Sequence, residues 1–102
     1  MGKIEFTDYE ACYLYCIPTK GGTFEEIGFS YSFINRDAAP TSDALSICFE
    51  KAMAANIVIK SGENYRLSEK WYAIAHQFDA TANNEVEAMG QFEEMLTART
   101  WP

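Results

Sequence analysis

The chain has 102 residues, of which 48% are hydrophobic, 15% aromatic and 23% charged. That composition excludes a disordered or fibrous protein and fits a single domain, 1–102, around one core. Eight Lys and Arg against fifteen Asp and Glu give a net charge of −7, which disfavours any function that begins by gripping a polyanion.

The first helix signal is Thr7 followed three residues later by Glu10, a pairing in which the hydroxyl takes an orphan backbone N–H and the carboxylate reaches back to the cap residue. The same pattern recurs at Thr23 with Glu26 and at Asn84 with Glu87. A helix from Thr7 is expected to run to about Ile17 and stop before Pro18, because proline disfavours the helical conformation in its predecessor. After PTKGG, a second helix places Phe24, Ile27, Tyr31 and Ile34 on one apolar face. Asn35 to Pro40 is the next break. A third helix begins with Thr41 or Ser42 as cap, carries Asp43 in its first turn, and aligns Leu45, Cys48, Phe49 and Ala52. Asn56 suits a left-handed terminal position.

Ile57 to Lys60, a turn around Ser61 to Asn64, and Tyr65 to Leu67 then read as an antiparallel hairpin. Ser68 is expected to cap a fourth helix carrying Trp71, Ile74, Ala75 and Phe78. A polar break at Thr81 to Asn84 precedes a fifth helix, 83–100, with Val86, Met89, Phe92 and Leu96 on one face and Gly90 as a weak point. The fold class is therefore α+β and mainly helical.

No apolar run approaches the ~18 residues of a membrane span, and the start MGKIEF lacks the apolar stretch of a signal peptide. A cytoplasmic protein without membrane contact is expected. Gly2 does not read as a lipidation site, since Phe6 stands where that motif takes Ser or Thr.

Three cysteines in such a chain argue for thiols rather than a disulfide framework. Cys12, Cys16, Cys48 and His76 could supply a three-sulfur, one-nitrogen zinc set, but no pair has the two-residue spacing common in structural sites. Core packing is the better account of these thiols, and no metal or cofactor is expected. Catalytic signatures are missing too. His76 sits on an otherwise apolar helix, and there is no G-x-S-x-G, phosphate-binding glycine loop or H-E-x-x-H. In GGTFEE, residues 21–26, an anion at the helix start would meet Glu25 and Glu26, so a plain loop is the better reading of the two glycines.

Three helices, a cap at Asn56, a hairpin and a further helix together resemble a winged helix-turn-helix domain over 7–78. The most specific stretch is LSICFEKAMAANIVIKSGENYRLS, Leu45 to Ser68, which looks like a recognition helix, its cap and a wing. The resemblance implies a three-helix core with a β-hairpin wing, to which the fifth helix is an addition. NRDAAP departs from it, being longer than the three- or four-residue turn usual between the second and third helices. The alternative is a generic α+β domain with one hairpin.

A recognition helix reads base edges with Arg, Lys, Asn or Gln. Here the outward set is Asp43, Ala44, Ile47, Glu50, Lys51 and Ala54, with two acids and one base. By segment the charge is −3 for residues 1–35, 0 for 36–70 and −4 for 71–102. DNA binding through the helix at 42–55 and the hairpin at 57–67, with contacts from Lys51, Lys60, Arg66 and Lys70, is thus the alternative reading. The leading one is a small non-enzymatic, winged-helix-like regulatory or interaction module working through an unknown protein partner and as a homodimer, since acidic members of such folds serve as interaction modules. Phe29, Phe33, Ile47 and Tyr72 fall off the main stripes of their helices. Met89, Phe92, Met95 and Trp101 crowd a terminal segment and are the expected dimer contacts.

Overall fold

The computed structural model describes residues 4–98, and within them five helices and one hairpin follow in the order α1 (Asp8–Tyr15), α2 (Phe24–Asn35), α3 (Ser42–Ala54), β1 (Val58–Ser61), β2 (Asn64–Leu67), α4 (Glu69–Thr81) and α5 (Glu85–Thr97). The arrangement is α+β and mainly helical. The helix starts follow local chemistry: Thr7 and Thr23 each close a full capping box, with the Oγ1 accepting from the N–H of Glu10 or Glu26 and the Glu carboxylate accepting from the cap N–H. Thr41 caps α3 and Asn84 caps α5 through their side-chain oxygens. Ser68 holds the N-cap position of α4 without the cap bond, its Oγ buried with no partner. Position and backbone were legible there; the hydrogen bond expected of it is not made.

The end of α3 explains why Asn56 stands where it does. Asn56 adopts a left-handed backbone at φ 61°. Its N–H donates to the Met53 carbonyl and that of Ile57 to the Ala52 carbonyl, the paired bonds of a Schellman ending. The chain thereby reverses straight into β1. The hairpin pairs Val58 with Leu67, Ile59 with Arg66, Lys60 with Tyr65 and Ser61 with Asn64, and turns through Gly62 and Glu63. Gly62 takes φ 63° at the first of the two central positions, a conformation that favours glycine.

Gly21 and Gly22 do more than loop. Gly22 bridges Tyr65 with two backbone hydrogen bonds of 2.9 and 2.8 Å, so the segment between α1 and α2 meets β2 through a single isolated bridge. Gly21, at φ 83°, sits so close to β2 that a Cβ there would come within 2.8 Å of the Tyr65 carbonyl oxygen. The two glycines are spent on this backbone approach, which replaces the plain loop expected of them.

One contiguous core runs from Phe6 to Leu96. Phe49 is its centre on the hairpin side: Phe24 and Tyr65 meet it edge-on at 5.5 and 5.1 Å, while Phe24 stacks on Tyr65 at 4.6 Å. This three-ring cluster ties α2, α3 and β2 together. The 36–41 connection is organised by Asp37, whose carboxylate accepts from the Tyr31 hydroxyl and the Ala38 N–H, and whose carbonyl accepts from Ser32. On the other side, α5 packs on α1 and α4. Phe92 is fully buried there, edge-on to Tyr15 and Trp71 at 5.6 and 5.9 Å.

Val86 is a correction. It was expected on the inward stripe of α5, yet it is 65% exposed. The stripe that reaches the core is Ala88, Met89, Phe92 and Leu96. At 100° per residue Val86 lies roughly 100° around the helix from the middle of that stripe.

Candidate functional site

The feature that stands out from this packing is on α2. Its inward face is formed by Ile27, Gly28 and Tyr31, helped by Phe24 and Ile34. Phe29 and Phe33, four residues apart, fall roughly 160–200° around the helix from Tyr31. They are 72% and 76% exposed, with ring centroids 6.4 Å apart. A sequence reading that assigns one stripe to the core finds these two by exclusion, and they are the most exposed large apolar side chains among the described residues.

Beside them runs a groove in two connected parts. The shallower part, about 640 Å³, is lined by Phe29, Phe33, Ile34 and Pro18, with Glu25, Glu26 and Glu85 at its edge. The narrower part, about 230 Å³, extends between α2 and α4 and is lined by Tyr15, Ile17, Tyr72, His76, Asp79 and Glu85 among others. Pro18, Ser30, Ile34 and Glu85 border both. Local helix rules place the acids: Glu25 and Glu26 open α2, and Glu85 opens α5, where the helix dipole favours negative charge. Asp79 is different. It lies in the last turn of α4, which carries no basic residue, at the end of the dipole that disfavours a carboxylate. The Tyr15 hydroxyl donates to its Oδ1, and burial followed by this bond pushes the Tyr15 pKa up. No Lys or Arg among the described residues lines either part. His76 stacks on Tyr72 at 6.0 Å.

The thiols do not resemble nucleophiles. Burial pushes the Cys12 and Cys16 pKa values up to about 12 and that of Cys48 higher still, the reverse of a reactive thiolate. Cys12 donates to Glu93 across the α1–α5 seam at 3.1 Å, and Cys48 to the Glu10 carbonyl at 3.6 Å. Among the described residues no three of His, Cys, Asp and Glu gather into a metal-holding group, so Cys12, Cys16, Cys48 and His76 do not converge.

The residues considered for DNA are scattered in role. Lys51 is turned inward: its ammonium donates to the buried Glu10 carboxylate and, at 2.8 Å, to the Glu5 carbonyl, and lies 5.3 Å from the Phe6 ring. It braces the N-terminal segment against α3 and is committed there. Lys60 lies over the Tyr65 ring at 5.5 Å. Arg66 and Lys70 are exposed, Arg66 on the outer hairpin face opposite Ile59. Of the expected dimer contacts, Met89 and Phe92 are buried in the chain's own core, where α5 packs on α1 and α4. Met95 is half-buried against the core, and Trp101 lies outside the described residues.

No helix among the described residues is long and apolar enough to cross a membrane. No family model, curated protein or solved structure matches the chain.

Sequence reasoning missed the groove itself. Glu85 and Asp79 reach the neighbourhood of α2 only through tertiary packing, and in the sequence each is one acid among fifteen.

Proposed function

We propose that the chain is a non-catalytic interaction module, winged-helix-like in plan, that docks a partner protein on the outer face of α2. The observation that carries this reading is the Phe29–Phe33 pair, exposed on a helix whose opposite face buries Ile27, Gly28 and Tyr31 in the core. Large apolar side chains in adjacent exposed positions beside a groove mark an association surface, and aromatics dominate the energetics of such surfaces. The winged-helix plan is supported by the order of three helices followed by a hairpin, and by the Gly22–Tyr65 bridge on the free edge of β2. The inward commitment of Lys51 and the acidic balance weigh against a DNA-reading α3. The raised thiol pKa values weigh against nucleophilic catalysis.

Selection from a random peptide display library tests the reading. The wild-type chain should enrich peptides that a Phe29→Ser/Phe33→Ser double variant does not retain. Enrichment that is indifferent to those two residues, or micromolar, steeply salt-dependent binding to random duplex DNA, would overturn it.

A further inference from the structure

Resting on the reading of α2 as a docking face, we infer that the partner presents a cationic amphipathic segment: apolar side chains over Phe29 and Phe33, and one Lys or Arg seated in the narrow cleft between α2 and α4. Three observations point there.

Charge is the first. Glu25, Glu26, Asp79 and Glu85 border the two-part groove, and no Lys or Arg among the described residues does. Complementarity therefore selects a basic occupant and steers its approach. A second copy of this chain would bring carboxylates against carboxylates under a net charge of −7, and a nucleic acid or anionic lipid surface would be repelled in the same way.

Size is the second. Ligand pockets for drug-sized molecules run from about 300 to 1,000 Å³ and are enclosed mainly by apolar side chains. The narrow cleft, at about 230 Å³ and with Asp79, Glu85, His76 and the Tyr15 hydroxyl on its walls, takes a single long side chain instead. The wider part, about 640 Å³ with the two phenylalanines, takes the apolar residues that flank it on the same segment.

Local chemistry is the third. Asp79 sits at the C-terminal end of α4, where the backbone dipole adds its negative end to the carboxylate and the last turn carries no basic residue to compensate. Tyr72, 40% exposed and stacked on His76, lies on the same wall, where an aromatic side chain favours a cationic neighbour. An incoming cation thus meets a carboxylate at a helix terminus, with the Tyr72–His76 pair further along the same wall.

Two labelled amphipathic peptides of about 18 residues, five helical turns, decide the matter by fluorescence anisotropy with the full chain. They share one apolar face; one carries Lys on the polar face and the other Glu. The Lys peptide should bind at least about tenfold more tightly than the Glu peptide, and its affinity should fall as salt rises from about 0.05 to about 0.5 M. Phe33→Ser should remove binding. Glu25→Gln/Glu85→Gln, which keeps both helix starts polar, should weaken the Lys peptide while circular dichroism stays unchanged. Glu85→Lys should shift preference toward the Glu peptide. Equal binding of both peptides, each dependent on Phe33, overturns the cationic partner and leaves the docking face standing. Failure of the Lys peptide to bind overturns the inference whatever the display library yields. Binding that ignores Phe29 and Phe33 overturns the inference and the docking face together.

Discussion

Helices α2 and α5 carry the same kind of apolar surplus and use it in opposite ways. On α5, Phe92 is fully buried between Tyr15 and Trp71, and Met89 and Leu96 are interior beside it. On α2, Phe29 and Phe33 face outward and are 72% and 76% exposed. The difference follows from what each helix packs against. α5 lies in the angle between α1 and α4 and is covered on its inward side, whereas α2 contributes one stripe to the core and leaves its far side bare. What an apolar residue signals here is set by which face of its helix a neighbouring element covers: Phe92 is covered, whereas Phe29, Phe33 and also Val86 on α5 itself are not.

Truncating Phe92 is the strongest way to break this contrast. Phe92→Ala should cost about 3–5 kcal/mol in denaturant unfolding, because it opens a cavity at the meeting of three helices. Alkali should act next, on the buried thiols of α1 and its C-cap. The folded chain holds the Cys12 and Cys16 protons up to about pH 12 against an ordinary value of 9.0, so the unfolded chain ionises first. Stability from these thiols is fully present below about pH 9 and is lost as pH rises toward 12. A pH series of denaturant melts should show that decline, and Cys16→Ala should make it shallower. The caps treat the two helices alike: Thr23→Ala on α2 and Asn84→Ala on α5 should each cost about 1 kcal/mol, since each deletes one side-chain bond to an orphan N–H. Smallest is the effect of Phe29→Ser/Phe33→Ser, which should leave unfolding free energy within about 0.5 kcal/mol of wild type, as exposed positions do. A loss near that of Phe92→Ala would erase the distinction between the helices.

What could be read from sequence was local. The boxes at Thr7–Glu10 and Thr23–Glu26, the left-handed Asn56, and the Leu45, Cys48, Phe49, Ala52 stripe depend on residues within a turn or two of one another, and each is realised. The off-stripe positions of Phe29, Phe33, Ile47 and Tyr72 followed from the same periodicity, and all four are exposed. Relations across the chain could not be read. Lys51 pairs with Glu10 forty-one positions away, Gly22 bridges Tyr65, and the Tyr15 hydroxyl finds Asp79 across sixty-four positions. Ignorance of what covers α5 made Met89 and Phe92 look available to a second chain. Ignorance of where α4 and α5 begin and end in space hid the acids that border the α2 face. Tertiary placement decides both.

The central claim, that the α2 face is the working surface, is tested most directly by residue-resolved NMR during titration with the Lys-bearing amphipathic peptide. Shift changes should cluster at Phe29, Ser30, Phe33, Tyr72 and Glu85, leaving the outward face of α3 and the hairpin tip at Gly62 unmoved. Perturbations that instead centre on α3 and on Lys60, Arg66 and Lys70 would contradict the account and move the working surface to α3 and the hairpin.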